Sequence, residues 1–136
     1  MTDENALRDR LDVRELYSRH AIAIDNHQAD AWVACFTEDG IFESGLLGKH
    51  VGAEGLKKFT KLYRESLGGA QVLHIISNVH FQLEGEAGVG SCYLTYYHCK
   101  EGRIQQAAVG RYRDTLRKVD GRWFFASRAL SLDGHH

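Results

Sequence analysis

Apolar residues in the first quarter of the chain recur at helical spacing. Leu7, Leu11, Arg14, Tyr17, Ala21 and Ile24 lie three or four positions apart, which places them along one side of a helix. The pattern predicts a helix from about Glu4 to Asn26. Val13, His20 and Asp25 flank the same stripe, so Tyr17, His20, Ala21, Ile24 and Asp25 all look inward. Ala29 to Phe36 reads as a short second helix. Asp39-Gly40 marks a turn, Ile41 to Ser44 a short strand, and Gly45 to Gly52 a loop. Leu56, Phe59, Leu62, Tyr63 and Leu67 give a third amphipathic helix, stopped by Gly68-Gly69.

Beyond residue 70 the period changes to that of strands. Four segments follow: Gln71 to Glu84, Ala87 to Cys99, Ile104 to Lys118, and Arg122 to Leu132. Gly85, Gly102 and Asp120-Gly121 supply the turns between them. Gly88, Gly90 and Gly110, inside strand segments, predict bends or bulges. Helices first and an antiparallel meander second is an α+β pattern, with the helices on one face of the sheet. Long bent strands around three N-terminal helices make a cone-shaped, curved antiparallel sheet with a hollow inside.

A length of 136 residues suits a single domain spanning 1–136. The formal net charge of −1 offers no field for nucleic acid or for an acidic membrane surface. No apolar run reaches membrane-spanning length. The start, Met1-Thr2-Asp3-Glu4-Asn5, is acidic and unlike a signal peptide, so a cytoplasmic location is expected. Cys35, Cys92 and Cys99 are an odd set without Cys-x-x-Cys spacing. They are read as free thiols, and neither a disulfide framework nor a metal or other cofactor is expected. Gly134-His135-His136 is set aside from function as a possible purification remnant.

The chemistry concentrates in a few polar residues on apolar elements. Asp25 closes the first helix, where a carboxylate opposes the helix dipole unless a cation, His74 or Arg128, compensates. His74 interrupts a largely apolar strand, on one face with Val72, Ile76, Asn78 and His80. The opposite face, Leu73, Ile75, Ser77, Val79 and Phe81, is the more apolar. Alternation alone leaves two readings open: a core built on the Leu73 face, or His74 in the hollow and the Leu73 face in a subunit interface. An Asp bonded to one imidazole nitrogen fixes the tautomer and leaves the other nitrogen as a base. Arg128, along a wall with Phe124, Ala126 and Leu130, needs an anion: Asp25, a leaving group, or the carboxylate of a plain structural salt bridge. Asn78 is placed to orient a substrate oxygen. Arg111, Arg113 and Arg117 share a solvated strand face.

The chain resembles the SnoaL-like branch of the nuclear transport factor 2-like superfamily. The resemblance rests on Glu15-Leu16-Tyr17, Ala23-Ile24-Asp25, Trp32-x-x-x-Phe36-Thr37-Glu38-Asp39-Gly40, Gly52-x-x-Gly55-Leu56 and Asp120-Gly121-Arg122-Trp123-Phe124-Phe125-x-x-Arg128. It implies a cystatin-like α+β barrel. Within that branch the polar positions are similar to the lindane dehydrochlorinase and scytalone dehydratase groups. That similarity implies an Asp25–His74 catalytic dyad, with Tyr17, His20 and Arg128 as substrate-binding residues, which Asn78 joins by its place on the His74 strand. Two departures stand out. His20 occupies the position of a lysine in the dehydrochlorinase. Gln106 or Ala108 lies where the dehydratase has a second histidine.

The expectation is a cofactor-independent lyase, dehydrating or HX-eliminating, acting on a small hydrophobic cyclic molecule. An isomerase or polyketide-cyclase-type enzyme uses the same dyad. A non-catalytic ligand-binding or assembly domain, like a dioxygenase small subunit, is the alternative outside catalysis. A homodimer or homotrimer is expected, because the Leu73 face is too apolar to stay wet.

Overall fold

The structure, a computed structural model, describes residues 3–135. Helix α1 runs Asp3–Asp25 and α2 Ala29–Val33; strands β1 (Phe36–Ser44) and β2 (Gly48–Val51) precede α3 (Gly52–Ser66). Strands β3 (Gln71–Glu84), β4 (Ala87–Lys100), β5 (Arg103–Val119) and β6 (Arg122–His135) complete the chain. Among the described residues no helix is long and apolar enough to cross a membrane.

The six strands form one sheet in the order β2-β1-β6-β5-β4-β3. Both α1 and α3 pack inside its curve: α1 touches β3 and β6, and α3 touches β1 and β2. The sheet curls without closing, with β2 and β3 as its free edges. The expected cone is therefore present. Its sheet is mixed, since β1 pairs with β6 in parallel while every other pairing is antiparallel.

The first half differs from its sequence pattern in several places: Leu7 and Leu11, set on the inner side of the first helix, are exposed, and the turn expected at Asp39-Gly40 lies within β1. Phe36, read as the end of the second helix, begins β1. Phe36 pairs with Phe125, and the Phe125 backbone N–H donates to the Cys35 carbonyl at 2.8 Å. A tertiary hydrogen bond thus overrides a short helical preference. The expected loop after Gly45 contains β2, four residues too polar and too short to announce themselves.

The long strands begin and end nearly where their alternation predicted, but the alternation is broken inside three of them, β3, β6 and, at Ala107, β5. In β3, register shifts between Ser77 and His80, and Asn78 takes a left-handed conformation (φ 53°). Val72, His74 and Ile76 therefore face inward before the bulge, and Val79, Phe81 and Leu83 after it. In β6, Ser127 opposes Thr115 and Phe125 opposes Leu116, so Ala126 is extra. Arg128 consequently shares the inner face with Trp123 and Phe125, not with Phe124 and Ala126.

Gly88 and Gly90 are not bulges, because the β3–β4 register is continuous through them. Gly90 is a close-approach site: a Cβ there would collide with the Tyr17 hydroxyl. Gly110 does lie at a register shift, with the extra residue on β6. Near the narrow end, Asp9 accepts from Trp123 Nε1 at 3.0 Å and from Lys118 Nζ at 2.9 Å. Asp12 accepts the Trp123 backbone N–H at 2.8 Å, so α1 is tied to the β5–β6 turn.

Candidate active site

The last turn of α1 delivers Asp25 to β3. One carboxylate oxygen lies 2.6 Å from His74 Nδ1. Both oxygens also receive the His74 backbone N–H, at 3.1 and 3.2 Å. Those donors compensate a carboxylate placed at the wrong end of a helix dipole. Both side chains are nearly buried, at 12% and 13% exposure. A neutral His74 donates Nδ1–H to Asp25, which leaves the Nε2 lone pair as the available base.

His74 lines a cavity of about 30 Å³ together with His20, Ile24, Trp32, Phe59, Tyr63 and Tyr112. That space is the size of one small molecule such as water, for which ~10–15 Å³ suffices. Beside the cavity, Tyr63 of α3 and Tyr96 of β4 share a short hydroxyl–hydroxyl hydrogen bond. The Tyr96 ring lies 4.5 Å from the His74 ring, its partner in the β3–β4 register. Burial pushes the Tyr96 phenol up to about 12 and the Tyr63 phenol higher still, so both remain protonated donors at neutral pH. A wider groove of about 720 Å³ lies outside, between the end of α1 and α3. Lys57, Lys61 and Arg64 are on its rim, and it shares Ile24 and Tyr63 with the inner cavity.

Arg128 does not meet Asp25. It is fully buried and pairs with Asp114 of β5, through Nε at 2.8 Å and Nη2 at 3.2 Å. Its guanidinium carbon is 3.7 Å from the Tyr112 ring centre and 4.2 Å from that of Phe125. Burial alone would lower its pKa, but the adjacent Asp114 carboxylate more than offsets this and raises it. Tyr17 also belongs to this cluster, donating its hydroxyl to Asp114 at 2.6 Å. The structure thus commits Tyr17 and Arg128 to each other's partner rather than to the cavity. Asn78, expected beside His74, sits on the bulge and is exposed.

His20 joins the two clusters. Arg128 Nη1 donates to its Nδ1 at 3.2 Å, while its ring lines the cavity with His74. Burial, reinforced by the positive charge of Arg128, holds its pKa well below the ordinary histidine value.

The sequence reading missed Asp114, Tyr63, Tyr96 and Trp32 as members of these clusters. Asp114 was discoverable. It is a lone acid on the inner face of β5 between Tyr112 and Leu116, the same anomaly that marks Asp25. Tyr63 lies on the inner stripe of α3 with Leu56 and Phe59, where a tyrosine reads as core.

Comparison with known proteins follows the architecture. No curated protein matches the sequence. A protein of unknown function from Mycobacterium tuberculosis superposes with a TM-score of 0.87 at 23% identity, covering 96% of this chain and 75% of its own. An NTF2-like protein with a cystatin-like fold from Novosphingobium aromaticivorans also gives 0.87 at 23% identity, covering 95% and 85%. ActVI-ORFA from Streptomyces coelicolor gives 0.82 at 18% identity, covering 91% and 97%. At these identities the likeness is one of fold. The family model of the SnoaL-like domain, however, matches residues 5–129, nearly the whole chain. With its curled sheet and enclosed helices, the chain belongs to the SnoaL-like domain family, within the NTF2-like fold.

Proposed function

We propose that the protein is a cofactor-independent lyase acting on a small, hydrophobic, cyclic substrate, with His74 as the base that removes a proton from carbon. The supporting observation is the 2.6 Å contact between Asp25 and Nδ1 of His74, a residue that lines the aromatic-walled cavity. Asp25 orients the ring and stabilises the imidazolium that forms on proton uptake. Tyr63 and Tyr96 stand beside the base as a neutral hydrogen-bonded pair, one O–H of which is free to donate to a departing hydroxyl. A base so placed contributes about 10²–10⁴-fold. Isomerisation or cyclisation begins with the same proton removal and shares this machinery.

The inner space of about 30 Å³ is far below the ~300 Å³ or more of a typical small-molecule site. Substrate binding in this reading requires Ile24 and Tyr63, which wall both spaces, to move so that cavity and outer groove become continuous. The same constriction favours the second reading, a binding or assembly domain without catalysis. In either reading the outward Leu73, Ile75, Tyr93 and Val109 surface is proposed as a self-association face; all four are 38–48% exposed.

The experiment is deuterium exchange at the α-carbon of cyclic ketones in D₂O, followed by proton NMR. Wild-type protein accelerates exchange, and His74→Ala and Asp25→Asn each abolish it while retaining the native circular dichroism spectrum. Undiminished exchange in either variant removes the mechanism. No exchange by the wild type, together with no turnover of hydroxylated or chlorinated ring compounds, favours the assembly reading.

A further inference from the structure

We propose that His20 Nε2–H and Trp32 Nε1–H form a two-donor subsite for a neutral carbonyl oxygen of the substrate, with Arg128 setting that subsite through His20. The proposal rests on the reading of His74 as the base and names the substrate class that base acts on.

The protonation of His20 follows from its partner. A guanidinium has only N–H donors, so the Arg128–His20 contact at 3.2 Å requires Nδ1 to accept. A neutral imidazole that accepts at Nδ1 carries its proton on Nε2. Burial beside a cation keeps the ring neutral. Arg128 is itself fully buried and held by Asp114, so the tautomer is set by a rigid neighbour.

His20 Nε2 is buried with no hydrogen-bond partner among the described residues, and so is Trp32 Nε1. These two donors belong to adjacent rings, 5.2 Å apart at their centroids. Both rings line the cavity that His74 lines. Other neighbours of the His20 ring are the aromatic rings of Phe36, Tyr112 and Phe125, and none supplies an acceptor to Nε2. An unsatisfied buried donor is costly and rare, and two on one cavity indicate a missing acceptor.

The charge balance selects the acceptor. His20 and Trp32 are neutral, and the Arg128 cation is matched by the Asp114 carboxylate. A free halide ion would enter this interior without a counter-charge, which is unfavourable in a low-dielectric site. A carbonyl oxygen is neutral when it binds. It gains negative charge only as His74 Nε2 takes the α-proton and the C–H electron pair moves onto oxygen. Donors fixed in advance then stabilise the enolate more than the ketone, which is the requirement for catalysis. The subsite thus favours a substrate with a carbonyl next to the acidic C–H over a chlorinated hydrocarbon.

The test reads binding rather than turnover, so it stands apart from the fate of the dyad. Carbonyl-labelled 1-indanone is titrated into the protein and followed by isotope-edited infrared difference spectroscopy, with indane as the control lacking oxygen. The expected result is a bound C=O stretch at lower frequency than in water and tighter binding of the ketone than of indane. Trp32→Phe removes one donor and keeps a ring; it returns the band partway and weakens ketone binding about two- to tenfold. His20→Asn, which keeps an acceptor for Arg128 but loses the distal donor, does the same. His20→Gln, whose amide reaches the Nε2 position, retains more of the shift than His20→Asn. His74→Ala keeps the shifted band even if it shows no exchange activity. Equal affinity for ketone and indane, absence of ketone binding at millimolar concentration, or a band unmoved by Trp32→Phe and His20→Asn overturns the proposal.

Discussion

Removing the charge of Asp114 is the sharpest test of how the interior is held. Asp114→Asn keeps the shape of the side chain and an oxygen to accept from Tyr17. It leaves Arg128, at 0% exposure, without its counter-charge. Arginine does not shed its proton, so the cation remains buried. Breaking one partner of a buried pair costs about 3–5 kcal/mol. Against a total stability of about 5–15 kcal/mol that is about a fifth or more of the fold. For a chain of this size each kcal/mol shifts the melting temperature by about 3–5 °C, which gives a loss of about 10–20 °C. Arg128→Met alone strands the Asp114 carboxylate and costs a similar amount. The double variant costs less than the sum, with a coupling energy of about 3 kcal/mol, because no unpaired charge is then left inside. Urea denaturation followed by circular dichroism measures all four corners of this cycle. An Asp114→Asn variant within ~1 kcal/mol of wild type, or strictly additive effects, would refute the account of a charge pair desolvated inside the cone.

Three further outcomes follow from other parts of the molecule. His20 is held neutral in the fold but is free to protonate in the unfolded chain, so the unfolded state binds the extra proton as pH drops below about 6.5. Its contribution is complete above that pH and is lost at up to ~1.4 kcal/mol per pH unit below it. His20→Gln should flatten this slope in urea titrations between pH 6.5 and 5, and an unchanged slope would exclude His20 as its source. Gly90→Ala places a methyl group against the Tyr17 hydroxyl and is expected to destabilise by about 1–3 kcal/mol, as overpacking does. Tyr17→Phe should relieve part of that loss, and a fully stable Gly90→Ala single variant would contradict the close approach. The Leu73 and Ile75 side chains, 48% and 47% exposed, should carry self-association. Ile75→Lys should shift the sedimentation coefficient to that of a monomer, whereas an unshifted oligomer would place the interface elsewhere.

Much of the architecture was readable in the order of residues. The Tyr17–Ile24 part of the first helix's stripe, the Gly68-Gly69 stop and the Asp120-Gly121 turn act locally, through helical periodicity, backbone freedom and hairpin geometry. So does the prominence of Asp25 and His74, since an ionisable group among apolar neighbours stands out without coordinates. What remained hidden depends on pairings between distant segments. Phe36 becomes strand because Phe125 lies alongside it. A single extra residue at Ala126 turns Arg128 toward Asp114, and the bulge at Asn78 turns that side chain to solvent. Period-two alternation specifies a face only while the register holds, and a bulge is decided by the neighbouring strand. The chain by itself therefore determined which elements form and which side chains are costly to bury. Only the folded sheet decided which partner each buried charge would find, because desolvation demands a partner without specifying which one.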